Sequence, residues 1–108
     1  MSLDSLQRYR MKTYVNNKTN QEVKAVRFDD SLTSITELNK LVTDTCWDLD
    51  YCSDNISPAI KLLDGVKEVD RCHVGDYIVA IPTGLYDAHA YHVIHEKEFE
   101  SQYSVKTT

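Results

Sequence analysis

Histidines at 73, 89, 92 and 95 are the residue types in this chain best suited to ligating a metal or moving a proton near neutral pH. A spacing of three would gather His89, His92 and His95 on one face of a helix. The residues among them, Tyr91, Val93 and Ile94, favour a strand instead, in which side chains alternate between faces. His89 and His95 then share a face on the order of 20 Å apart, and His92 points away. Ligand bonds of about 2 Å cannot close over that distance. Solvent-facing strand histidines and no metal are expected.

Cys46, Cys52 and Cys72, with His73 beside the last, offer a second candidate. The C-x5-C spacing is not a zinc-knuckle spacing, and buried or half-buried cysteines pack as small apolar residues. A nucleophilic cysteine with a histidine partner also needs a group to orient the histidine and donors for an oxyanion. Neither is identifiable. Phosphate-binding glycine loops, the G-x-S-x-G elbow and helical metal motifs are likewise missing from the sequence. The expectation is a protein without catalytic residues or cofactor.

The run from Asp44 to Asp54 holds acids at Asp44, Asp48, Asp50 and Asp54, interleaved with Trp47 and Tyr51. It lacks the turn glycine and the closing glutamate of a calcium loop. Tryptophan and tyrosine serve as anchors at protein interfaces, and carboxylates there face a basic patch on the partner. Asp44, Trp47, Asp48, Asp50, Tyr51 and Asp54 are therefore the candidate partner-binding residues. The competing reading is a solvated connection with Trp47 folded into the core. Tyrosines at 77, 86, 91 and 103 carry a further possibility, because a phenol ring can stack on a nucleobase.

Composition bounds these readings. A chain of 108 residues forms one domain, 1–108, with residues 1–10 before the second methionine as an optional flexible extension. Hydrophobic residues at 42% and charged residues at 27% suit a folded domain. A net charge of −5, with no block of Lys and Arg, argues against direct nucleic-acid binding. The longest apolar runs fall well short of the roughly 20 residues of a membrane span, and the start carries no signal-like apolar segment. An odd number of cysteines fits a reducing compartment. A cytoplasmic protein is expected.

The elements that would position these residues are legible in outline. Lys12–Asn16 and Glu22–Phe28 read as strands of a hairpin across the turn-rich Asn16–Asn20. Asp29, Asp30 and Ser31 are N-cap candidates for a helix over about Leu32–Thr45, with Leu32, Ile35, Leu38 and Val42 as its buried stripe. Cys46–Ser57 reads as a connection. Ala59–Leu63 and the segment around Val66 and Val69 flank an Asp64-Gly65 turn. Val74-Gly75-Asp76 turns into the strand Tyr77–Ile81; His89–His95 is a last strand, and Glu96–Tyr103 a short helix with acids in its first turn. The fold class is α+β: a small, mainly antiparallel sheet with one long helix packed on it and a short C-terminal helix.

Three segments occurring in order, Val23-Lys24-Ala25-Val26-Arg27-Phe28, Val74-Gly75-Asp76-Tyr77-Ile78-Val79 and Phe99-Glu100-Ser101-Gln102-Tyr103, resemble a family of small proteins of tailed bacteriophages and prophages. The likeness spans about Met11 to Tyr103. Trp47–Pro58 departs from it as an insertion, and Pro82–His89 replaces a basic, glycine-rich turn. The resemblance implies a phage accessory protein made in the host bacterial cytoplasm, and carries over no activity and no site residue. The leading expectation is thus a non-enzymatic protein that binds and modulates a host bacterial protein in host takeover or anti-defence, an inhibitor for example. The alternative is a small-molecule binder that sequesters a nucleotide signal.

Overall fold

The computed structural model describes residues 11–43, 45–50, 58–86 and 88–106. Among them are eight strands and two helices: β1 (Lys12–Asn16), β2 (Glu22–Arg27), α1 (Leu32–Leu41), β3 (Cys46–Asp50), β4 (Ala59–Asp64), β5 (Lys67–His73), β6 (Tyr77–Pro82), β7 (His89–Ile94), α2 (Glu96–Gln102) and β8 (Tyr103–Val105). The strands form two sheets rather than the single one expected, in the orders β7-β6-β2-β1-β8 and β3-β4-β5. Every pairing is antiparallel. The α+β class stands; the sheet count does not.

Local chemistry accounts for the junctions. The Asn16 side chain accepts hydrogen bonds from the amides of Lys18 and Thr19 at 2.9 and 3.1 Å, which folds the β1–β2 turn. Gly65 opens the two-residue β4–β5 loop at φ +64°, a conformation costly for residues with a side chain. The step from the second sheet to the first is the turn Val74–Gly75, with Gly75 at φ +99°. It is pinned to the end of β2: Gly75 N–H donates to the Phe28 carbonyl at 2.7 Å, and Phe28 N–H to the Asp76 carbonyl at 2.9 Å.

Helix α1 begins where its cap predicts, the Ser31 hydroxyl accepting from Ser34 N–H at 3.0 Å. It ends at Leu41 and is ten residues long, so the long helix to Thr45 is corrected. The stripe is rotated as well. Leu38 and Val42 are buried and Ile35 packs on the core, as expected, but Leu32 is 81% exposed and Leu41 is buried in its place. Ser34 can lie on the buried face because its hydroxyl donates to the Ser31 carbonyl at 3.0 Å.

The five-stranded sheet has two differently built faces. Residues directly opposed in an antiparallel pair share a face, and Val26 opposes Ile78, which opposes Val93. This face meets Phe28, Leu38, Leu41, Val42 and, from the second sheet, Ile60, Leu62 and Cys72. On the other face Tyr14 opposes Val23, and Ala25 opposes Val79. There the sheet packs with Phe99 of α2 and with Tyr103.

Candidate functional site

The second face carries an open cleft of about 510 Å³. Its lining is Lys12 and Tyr14 of β1, Arg27 of β2, Tyr77 of β6, Glu96, Phe99 and Glu100 of α2, and Tyr103 and Val105 of β8. Alternation along each strand aims Lys12 with Tyr14, and Tyr103 with Val105, to the same side.

Phe99 is 1% exposed and sits between two parallel rings, Tyr77 at a centroid distance of 4.0 Å and 15°, and Tyr103 at 4.8 Å and 13°. Tyr14 meets Phe99 edge-on at 4.8 Å and 82°. Such contacts add about 0.5–1.5 kcal/mol each beyond area burial. Tyr103, the first residue of β8, caps the end of α2, its N–H donating to the Phe99 carbonyl, and this junction sets both rings. Tyr77 and Phe99 are used up inside the stack. Tyr103, half-buried at the cleft wall, is the ring with surface left for a ligand.

Burial pushes the Tyr14 phenol up to about 12, with smaller contributions from Tyr77 and Glu100. The Tyr77 phenol is raised by burial and by Glu100 and Glu96, and lowered by Arg27. Both stay protonated at neutral pH, so they offer neutral hydroxyls rather than bases or nucleophiles. Two cations and two carboxylates complete the lining. Arg27 Nη2 lies 3.4 Å from Glu96 Oε1, while its Nε is buried with no hydrogen-bond partner among the described residues. Lys12 and Glu100 form no ion pair with a described residue.

A second contact holds the start of α2. His95, which precedes the helix, places Nδ1 at 2.8 Å from Oδ1 of the buried Asp76, whose Oδ2 accepts from His73 N–H at 3.1 Å. The wall bearing Glu96, Phe99 and Glu100 is thus clamped to the sheet at its N-terminal end by Asp76 and Arg27.

The residues singled out from sequence fall elsewhere. Asp44, Tyr51 and Asp54 lie outside the described residues, as does Cys52. Trp47, Asp48 and Asp50 belong to strand β3, which corrects the expected connection over Cys46–Ser57. In β3 the alternation divides them. Trp47 and Leu49 pack against the core, and Asp48 is exposed on the outer side. Asp48 accepts from Leu49 N–H at 2.9 Å, and Asp50 pairs with Arg71 at 2.8 Å. The aromatic anchor and the acids therefore do not share a surface.

His89 is half-buried and its ring lies 6.4 Å from that of Tyr91; His92 is exposed, and His95 has left the strand. The Cys72 thiol is buried, donates weakly to the carbonyl of Asp76 at 3.6 Å, and is held well above the usual thiol range by that burial. Cys46 is exposed on β3. Among the described residues no three of His, Cys, Asp and Glu come together as a metal site. No helix there is long and apolar enough to cross a membrane.

Sequence reasoning had Tyr77 and Tyr103 among the candidate stacking residues, but not Lys12, Tyr14, Arg27, Glu96, Phe99 or Glu100 as lining. The F-E-x-x-Y spacing was the available signal, since it sets two rings four residues apart at the end of α2. Comparison with protein-family models, with curated proteins and with solved structures returned no match.

Proposed function

We propose that this chain is a non-enzymatic binding module that captures a small planar ligand of the nucleotide class, acting as a sequestering accessory protein. The observation that carries this is the cleft itself, where an aromatic stack ends on a partly free tyrosine and whose lining also includes Lys12 and Arg27. A ligand ring on Tyr103 would extend the stack, and base–aromatic stacking contributes about 1–3 kcal/mol per base. Lys12 and Arg27 provide the charge for an anionic group, and the Tyr14 and Tyr77 hydroxyls can donate or accept.

The likeness to phage accessory proteins supports a role in the host bacterial cytoplasm, where removing a nucleotide signal would serve the phage. A second reading, capture of a host protein, is favoured by β3, the outer strand of its sheet with Asp48 exposed along it. A strand added there would use free backbone groups, and a basic partner would meet the acids. The inward turn of Trp47 ranks this reading second.

Protein purified from producing cells should release a nucleotide-like compound on denaturation, read by mass spectrometry. Nucleoside monophosphates should quench its tyrosine fluorescence saturably, with the effect abolished in Tyr103→Ala. The absence of both a released compound and saturable quenching would remove the cleft from the account.

A further inference from the structure

The charges lining the cleft bear on which members of the nucleotide class it admits, a question that rests on the reading just given. Lys12 and Arg27 face Glu96 and Glu100, so the lining is formally neutral. A pocket built for a polyphosphate concentrates Lys, Arg and backbone N–H groups and keeps carboxylates away, because the ligand's own charges are several and close together. Here one of the two cations is already engaged, Arg27 with Glu96 at 3.4 Å. What remains is one cation, Lys12, and one carboxylate, Glu100, with neither in an ion pair with a described residue. Burial is the main cause of the raised Tyr14 and Tyr77 phenols, and Glu100 adds to both.

We infer that the cleft selects a bipolar ligand, a nucleobase-type ring with N–H donors carrying a single negative charge, and rejects polyphosphates. In this arrangement Lys12 meets the single anionic group and Tyr103 stacks the ring. Glu100 accepts from the ring's exocyclic amine or N–H. A carboxylate acceptor also supplies discrimination, because a ring without a donor at that edge leaves the charge desolvated and unpaired. Each extra phosphate charge brought near Glu96 and Glu100 weakens binding by about tenfold, at the effective dielectric of a partly exposed site.

The test is calorimetric titration of the full chain with four probes that share one base: adenosine, adenosine 3′,5′-cyclic monophosphate, adenosine 5′-monophosphate and ATP. The guanosine series follows if the adenosine series is silent. The expected order places the singly charged cyclic monophosphate first, at least tenfold tighter than ATP. Glu100→Gln should narrow that gap about tenfold by strengthening ATP, and Lys12→Gln should weaken the cyclic monophosphate about tenfold. Thermal midpoints of both variants establish that they fold. ATP binding as tightly as the cyclic monophosphate, or a gap unmoved by Glu100→Gln, overturns the inference and leaves the cleft as a nucleotide site. Silence of every probe in both series overturns the site as well.

Discussion

The two faces of the five-stranded sheet use the same strands for different ends. Under α1 and the second sheet the contacts are mainly aliphatic around Phe28, with Leu38, Ile60 and Ile78 fully buried. Under α2 the contacts are aromatic, bordered by four charged side chains and open on one side. Alternation makes this possible: Ala25, Val26 and Arg27 in succession face the cleft side, the core and the cleft side again. The first face is closed by packing, and the second leaves part of its surface open.

The largest effect should come from the closed face. Leu38→Ala removes a fully buried side chain and should cost about 2–5 kcal/mol in denaturant unfolding, whereas Leu32→Ala, on the same helix, should change stability by under about 0.5 kcal/mol. Equal losses from the two would mean that α1 is packed differently. Next comes Arg27→Met on the open face. It removes a buried Nε without a partner among the described residues along with a partly exposed ion pair, so stability should move by less than about 1 kcal/mol while nucleotide binding falls. A large loss of stability would turn Arg27 into a structural residue and blur the comparison.

Alkaline pH draws on both faces, because burial raises the Cys72 thiol in the closed core as well as the Tyr14 and Tyr77 phenols on the open face. Tyr14 has its folded-state value raised to about 12, against an ordinary value near 10. The folded state then holds the proton more tightly than the unfolded one. Its stabilising contribution is complete below about pH 10 and is lost as the pH rises towards about 12. Alkaline titration of stability should show this decline, and Tyr14→Phe should reduce it while leaving the part due to Tyr77 and Cys72. The smallest effect belongs to the outer surface of β3. Asp48→Asn should leave the unfolding midpoint unchanged within about 0.5 kcal/mol, and should slow association with a host protein only if that strand is the docking edge.

What the sequence revealed follows the range of the interactions involved. The β1–β2 and β4–β5 turns, the α1 cap and the acid-rich start of α2 are encoded within a few residues and were readable. Strand β3 was not, because acids at Asp48 and Asp50 depress strand propensity and hid the alternation of Trp47 and Leu49. The three-residue β8 follows a helix without a break, and only its pairing with β1 defines it as a strand. The division into two sheets depends on which strands meet across the turn at Gly75, which no local pattern states. The cleft was the hardest part to see: Tyr14, Arg27, Tyr77 and Phe99 are spread over most of the chain and converge only through register.

Trp47, the chain's one tryptophan, packs against the closed core, whereas Tyr14, Tyr77 and Tyr103 line the open cleft. Nature has in effect placed two optical probes of different colour on opposite sides of one sheet. Red-edge excitation addresses the indole alone and reports loosening of the core, while the tyrosine bands of near-ultraviolet dichroism combine the cleft phenols with Tyr91, which packs on the closed core. A ligand that alters the tyrosine bands and leaves the indole silent acts away from Trp47, and Tyr91→Phe separates the core's share of the tyrosine signal.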